Sequence, residues 1–233
     1  MSTQPRPSAE SSIEARRALL ERIYDTLFEN IGPRHWWPGE TPFEVMVGAI
    51  LTQNTAWANV EKAIANLKAA GLLDPGALYE VDVRRLAELI RPSGYYNQKA
   101  LKLKRFVAFF VEQYGASVER MKAEPTAELR EKLLQINGIG SETADSILLY
   151  ALEKPVFVVD AYTRRIFSRH GWVEPTIEYE DLRRFFEEAL PEDVQLFNEY
   201  HALLVYVGHH WCRRAPRCGT CPLQPFLPQE GIS

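Results

Sequence analysis

Apolar residues recur at three- and four-residue spacing along most of this chain, and nowhere do they alternate long enough to supply a set of strands. Such a pattern can bury its apolar stripes only by packing helix on helix, so the expected fold class is all-α. Ser12 to Asn30 shows the spacing first, with Ile13, Leu19, Leu20, Ile23 and Leu27. Thr41-Pro42-Phe43-Glu44 is a helix start: Thr is a favoured N-cap, Pro suits the first turn, and Glu stands where a capping box needs it. The apolar run from Phe43 to Leu51 then reads as a buried helix. Further helices are expected over Ala56 to Ala70, Asp82 to Ile90, Asn97 to Tyr114, Thr126 to Leu134, Ser141 to Leu152, Asp160 to His170, Glu178 to Leu190 and Asp193 to His210. Asp74-Pro75-Gly76, Pro92-Ser93-Gly94 and Glu124-Pro125 read as breakers between them. Pro155 to Val159 is extended but too brief for a sheet of its own.

A length of 233 residues allows one large domain or two small ones, and 46% apolar with 25% charged residues is globular composition. No apolar run approaches the roughly 18 residues of a membrane span. Residues 1–11 are polar and lack the apolar stretch of a secretory signal, so an intracellular protein with a disordered tail is expected. The net charge of −4 argues mildly against a phosphate-rich partner. The charge is uneven, however: Arg91 to Arg105 holds Arg91, Lys99, Lys102, Lys104 and Arg105 and no acid. That run is either a basic binding face or an ordinary solvated helix surface. The three cysteines, Cys212, Cys218 and Cys221, lie within ten residues, a spacing for metal or cluster binding rather than for a secreted disulfide framework.

Two stretches carry chemistry. In Leu133-Leu134-Gln135-Ile136-Asn137-Gly138-Ile139-Gly140-Ser141-Glu142-Thr143-Ala144 one helix ends, a Gly-Ile-Gly turn follows and a second helix begins. The glycines permit a tight turn and a close approach, and amides at the new helix start can hold a phosphate oxygen. By itself this is either a DNA-backbone clamp or a plain helical hairpin with a Gly cap. Twenty residues beyond Gly140, Val156-Phe157-Val158-Val159-Asp160 brings a carboxylate to the start of another helix, where Asp is also a favoured cap.

Together the Gly-Ile-Gly hairpin and Val158-Val159-Asp160 resemble the two signatures of the HhH-GPD superfamily of DNA glycosylases, the endonuclease III group. The resemblance runs from about Ile31 to Leu223. It implies that Gly138, Ile139, Gly140, Ser141 and Thr143 bind DNA phosphate and that Asp160 is catalytic. Leu51-Thr52-Gln53-Asn54-Thr55 is similar to the helix end whose Gln fills the gap left by a flipped nucleotide, here Gln53. Gly94-Tyr95-Tyr96-Asn97-Gln98-Lys99-Ala100 is similar to the segment that supplies a wedge, here Tyr95; such wedges offset the cost of unstacking.

Bifunctional members carry a Lys just before Thr-Ala, whose amine forms a Schiff base with the sugar. Glu142 stands there, and a carboxylate cannot form one, so a monofunctional enzyme with absent or weak AP lyase activity is expected. Gly138 to Asp145, Trp36-Trp37-Pro38 and the aromatic Trp57 beyond Thr55 are similar to the 3-methyladenine DNA glycosylase III subgroup. That likeness implies a base pocket of Trp37 and Trp57, with Trp36 nearby, in which aromatic rings sandwich the base. Indole faces attract cations, and a 3-methylated adenine is one.

Cys212-x5-Cys218-x2-Cys221-Pro222 resembles the C-terminal loop that holds a [4Fe–4S] cluster in endonuclease III. The fourth Cys should fall near Leu227 and is absent. Three readings stay open: a cluster with an incomplete Cys set, a Cys3His zinc site completed by His209 or His210, or a loop without metal.

The expected activity is therefore base excision repair: hydrolysis of the N-glycosidic bond of a flipped damaged base in double-stranded DNA, an alkylated purine such as 3-methyladenine. The alternatives are an endonuclease III-like glycosylase for oxidised pyrimidines or mismatched bases, and a non-catalytic DNA-binding hairpin protein. The expected architecture is two helical lobes with a DNA-binding cleft between them. One lobe is residues 41–152 and ends in the hairpin of 133–144; the other joins 12–40 to 153–233 and carries the Cys loop of 212–221. A monomer located with cytoplasmic, nucleoid-associated DNA and without a membrane partner is expected.

Overall fold

The computed structural model describes residues 9–228; the remaining residues of the expected tail, 1–8, lie outside the described residues. Helix α1 (Ala9–Ile31) is already under way at Ala9, so it takes in the last three residues of the stretch expected to be tail. The described residues contain no strand and no helix long and apolar enough to cross a membrane. The chain forms two compact units: one runs from Trp37 to Lys154, and the other joins the segment ending at Trp36 to the segment starting at Pro155.

The Trp37–Lys154 unit is built around α2 (Pro42–Leu51), in which Phe43 through Leu51 are all buried. Thr41 Oγ1 accepts from the Glu44 amide at 3.1 Å, and the Glu44 carboxylate accepts from the Glu40 amide at 3.3 Å. The capping box thus closes one residue earlier than the ideal pattern. Around α2 lie α3 (Trp57–Ala69), α4 (Pro75–Glu80), α5 (Val83–Leu89), α6 (Tyr96–Tyr114), α7 (Val118–Ala123), α8 (Thr126–Gln135) and α9 (Ser141–Ser146). α9 continues into a π-turn over Ile147–Ala151. α2 packs on α3, α6 and α9, and α6 packs on α4, α5 and α7.

Two of these helices depart from expectation. Asp74-Pro75-Gly76 opens α4 rather than breaking the chain. Asp74 caps by accepting from the Ala77 amide at 3.0 Å, and Pro75 sits in the first turn, where its missing N–H costs nothing. The short helix α7 has no sequence-based expectation; Ser117 caps it, accepting from the Arg120 amide at 3.2 Å.

In the other unit, α1 is joined by α10 (Ala161–Arg169), α11 (Tyr179–Glu187) and α12 (Val194–His210). Val156 to Val159 are extended and buried, and no neighbouring strand pairs with them. Side chains anchor them instead. The Phe157 amide donates to Glu187 Oε1 at 2.8 Å. The Phe157 ring stacks on Phe186 at 3.9 Å and meets Phe197 and Tyr200 edge-on. Tyr200, fully buried, donates its hydroxyl to the Leu20 carbonyl at 2.9 Å, so its one polar group is satisfied. This aromatic core fixes the segment that delivers Asp160 to the start of α10.

Candidate functional site

The hairpin turns at Gly138, whose φ is +100°, a backbone conformation closed to most side chains. A Cβ at Gly138 would also stand 2.5 Å from Lys102 Cγ. Two helices flank the turn, and a bidentate ion pair ties them. Arg130 Nε lies 2.6 Å from Asp145 Oδ1 and Nη2 lies 3.0 Å from Oδ2, with Asp145 fully buried. Gly140 is exposed at the N-terminus of α9, and Ser141 is half-buried. Ile139, of the expected DNA-binding set, turns its side chain inward. Its side chain is 5% exposed, in the core, and its amide donates to the Ile136 carbonyl at 2.9 Å. Thr143 is buried too, and its hydroxyl accepts from Gln53. Glu142 is exposed.

Gln53 Nε2 donates to Gly138 O at 3.1 Å and to Thr143 Oγ1 at 2.9 Å, while Lys102 Nζ donates to Gln53 Oε1 at 2.5 Å. The Gln53 loop and the hairpin are therefore one hydrogen-bonded assembly. The Tyr95 turn is different in character. Gly94 and Tyr95 both have left-handed backbones, at φ +67° and +45°, and the Tyr95 side chain is 69% exposed. A bulky residue with φ near +45° is a strained exception, and strain of this kind collects at functional turns.

Trp37 and Trp57 come together, but not as parallel plates. Their rings meet edge to face, with centroids 5.2 Å apart and planes at 88°. Two parallel plates with a base between them would stand about 7 Å apart, two stacking distances, so the expected sandwich is corrected to a right-angled corner. Trp37 also meets Tyr150, with centroids 5.2 Å apart, an aromatic that the sequence reading missed. Both tryptophans line a cavity of about 170 Å³ with Pro38, Glu44, Glu61 and Lys68. Lys68 bridges Glu40 and Glu44 at 2.9 and 3.0 Å. Gly48 on α2 faces Trp37: a Cβ there would come 3.3 Å from Nε1. Trp36 is half-buried and ends the other unit's first segment.

Asp160 is the N-cap of α10: Oδ1 accepts from the Thr163 amide at 2.7 Å and its hydroxyl at 2.9 Å. Oδ2 lies 3.7 Å from His201 Nε2 on α12. Burial would push the Asp160 carboxyl up; His201 and the two Thr163 donors outweigh it and hold the carboxyl below its usual range. Asp160 is thus an ionised carboxylate at neutral pH with one oxygen committed to the helix and one directed elsewhere. Tyr162 lies close by: burial, then the Asp160 charge, raise its phenol. Its ring lies against His209 at 4.8 Å, and Gly208 makes room for it, since a Cβ there would come 2.3 Å from that ring. His201 and Tyr162 are absent from the sequence-based set. The spacing of α10 and α12 in the chain offers no signal that they meet.

Cys212, Cys218 and Cys221 line one small cavity together with Trp211, His170 and Leu227. Burial raises the Cys221 thiol, and nearby Cys218 and Cys212 add to the rise. Leu227, where a fourth thiolate would stand, presents a hydrocarbon to that cavity. Among the described residues, no three His, Cys, Asp or Glu side chains are grouped to hold a metal ion. His209 lies against Tyr162 and His210 stacks on Tyr206, and neither is among the residues lining the cavity of the three thiols. The donor set does not complete a four-thiolate cluster. Protein bonds hold the loop: Arg165 Nε donates to Cys212 O at 2.7 Å, and Arg169 Nη1 donates to Arg213 O at 2.6 Å.

The relatives of this chain point one way. It is 49% identical over 214 residues to a Methanocaldococcus jannaschii protein named as a DNA repair glycosylase, covering 91% of this chain and 97% of that one. It is 32% identical to endonuclease III of Thermotoga maritima, over 78% of this chain and 81% of the relative. Its structure resembles the H. pylori 3-methyladenine DNA glycosylase MagIII solved with 1,N6-ethenoadenine, with a TM-score of 0.69 and 33% identity, over 82% of this chain and 96% of that one. It also resembles endonuclease III in a non-covalent DNA complex, with a TM-score of 0.77, over 91% of this chain and 94% of that one; at 21% identity that likeness is one of fold. Residues 47–192 match the HhH-GPD superfamily directly. With the hairpin and its preceding Gln53 loop in place and Asp160 heading α10, the chain belongs to the HhH-GPD superfamily of base excision DNA repair proteins.

Proposed function

We propose that this chain is a monofunctional DNA glycosylase that removes a positively charged alkylated purine, such as 3-methyladenine, from double-stranded DNA. The observation that carries the reading is the cavity of about 170 Å³ lined by the Trp37 and Trp57 indoles, with the Glu61 carboxylate and the Lys68–Glu44 ion pair on its walls. A cationic base is drawn to the indole faces and to Glu61, whereas a neutral base gains only stacking from the same walls. The right-angled rings offer a base one face to stack on and one edge to abut. The name of the H. pylori relative, a 3-methyladenine glycosylase, supports the same substrate class.

A base that carries positive charge leaves readily, so little acid assistance is required. Asp160 then acts on the sugar and on the attacking water. As the C1′–N bond breaks and the electron pair departs with the base, its carboxylate stabilises the charge left on the sugar and accepts a proton from the attacking water. The products are free base and an unbroken strand with an abasic site. Strand cleavage needs an amine on the sugar. Glu142 occupies the position that carries Lys in bifunctional members, while Lys99 and Lys102 are engaged with carbonyl groups.

The test is base release from a duplex alkylated at adenine, with alkaline cleavage as a separate step and borohydride trapping in parallel. Release of 3-methyladenine with no nick before alkali and no trapped adduct is expected. A borohydride-trapped covalent complex would overturn the monofunctional assignment. Release confined to oxidised or mismatched bases would overturn the substrate.

A further inference from the structure

The basic run from Arg91 to Arg105 is not a row of free cations. Lys99 is 2% exposed, and its Nζ donates to the Leu51 carbonyl at 2.8 Å and the Ser93 carbonyl at 2.7 Å. Lys102 donates to Gln53 Oε1 at 2.5 Å, and its methylenes lie against Gly138. Lys104 is held by the carbonyls of Leu78, Tyr79 and Val81. Arg105 donates to Asn137 Oδ1 at 2.8 Å.

The acceptors fall in a pattern. Leu51 ends α2, two residues before Gln53, and Ser93 stands two residues before Tyr95. Gly138 is the turn of the hairpin. Each of the three turns contains a residue at positive φ: Asn54 at +53°, Tyr95 at +45° and Gly138 at +100°. Glycine and asparagine tolerate positive φ, so the strain lies at Tyr95, and such a turn persists only where its surroundings over-determine it. A buried ammonium is costly unless hydrogen-bonded, and here its partners include the last carbonyl of a helix, the negative end of that helix's dipole. Lys99 and Lys102, three residues apart on α6, are neighbours on one helix face and so meet adjoining loops.

We propose that Lys99 and Lys102 are positioning residues that tie the Gln53 loop, the Tyr95 turn and the Gly-Ile-Gly hairpin into one platform, so that gap filler, wedge and phosphate clamp engage DNA as a unit. This rests on the reading of those three segments as the DNA-contacting ones. Lys99 acts through Tyr95 and Gln53, and Lys102 acts through Gln53. Neither spends its charge on a phosphate.

The experiment measures affinity for a duplex carrying a tetrahydrofuran abasic-site analogue, over a salt series, for K99M, K102M, Y95A, Q53A and the doubles K99M/Y95A and K102M/Q53A. Each single variant is expected to weaken binding about tenfold, the order of one lost hydrogen bond to a charged group. The slope of log affinity against log salt is expected to stay unchanged in the lysine variants, since a lost phosphate contact would lower it by about one. Each double is expected to bind no more weakly than its weaker single, and K102R is expected to restore wild-type affinity. Additive doubles, or a slope lowered by about one, overturn the platform while leaving the function intact. If Y95A and Q53A bind like wild type, the assignment of those segments to DNA contact fails and the platform falls with it. Lys102 is half-exposed, so K102M and its double carry the test even if K99M does not fold.

Discussion

Asp160→Asn separates the two tasks of one side chain. In the wild type, Oδ1 accepts from the Thr163 amide and hydroxyl at 2.7 and 2.9 Å, and an Asn Oδ1 reproduces both bonds. Asn caps helices about as well as Asp, so the capping change is a few tenths of a kcal/mol. Losing the negative charge at the start of α10 adds about 0.3–1 kcal/mol. With the lost attraction to His201, 3.7 Å from Oδ2, the summed loss is about 1–2 kcal/mol, a Tm decrease of about 2–8 °C for a chain of this size. Its pH dependence has a definite sign. The folded carboxyl lies below its ordinary value, so its stabilisation is fully present above the unfolded pKa of about 3.9 and is lost as pH falls through the folded pKa. The stability gap between wild type and D160N is therefore largest near neutrality and closes in acid. Activity responds on another scale. Removing a positioned base or charge stabiliser costs about 100- to 10,000-fold. Single-turnover base release from an alkylated duplex measures it, with binding to an abasic duplex as control. We expect a rate at least about 100-fold lower, with affinity within about threefold. A rate within tenfold of wild type at an unchanged Tm would refute catalysis by Asp160. A Tm loss beyond about 10 °C would refute the claim that Asn preserves the cap.

The hairpin supplies two further predictions. Asp145→Ala leaves Arg130 beside a buried site without its bidentate partner, and breaking such a pair costs about 3–5 kcal/mol; urea unfolding measures it, and a loss under about 1 kcal/mol would show that the pair does not hold α8 to α9. Gly138→Ala forces a side chain into a left-handed position and drives its Cβ to 2.5 Å from Lys102 Cγ, so a loss of at least about 1–2 kcal/mol is expected in thermal melts, with an unchanged Tm as the contrary result.

Much of the fold was legible because its signals are local. Thr41 and Pro42 open α2 within one turn, and Asp160 caps α10 by accepting from Thr163 three residues on, so both could be read directly from the sequence. Local rules failed where one signal had two meanings. Asp74-Pro75-Gly76 reads as a breaker or as a capped first turn, and only the packing of α4 on α6 decides for the helix.

By itself, then, the sequence determined the all-helical class, the Gly-Ile-Gly turn, the carboxylate at a helix start and the absence of a Lys at position 142. Each follows from residues within a few positions of one another, where backbone geometry fixes who can meet whom. Only the tertiary structure decided the rest. It set His201 beside Asp160, turned Ile139 into the core, and stood Trp37 at right angles to Trp57. It also took Lys99 and Lys102 out of a basic run and spent them on a helix-end carbonyl, a loop carbonyl and Gln53. Those outcomes join residues tens of positions apart. A charge or a ring carries no mark in the sequence of which distant partner will reach it, and burial then makes that partner obligatory.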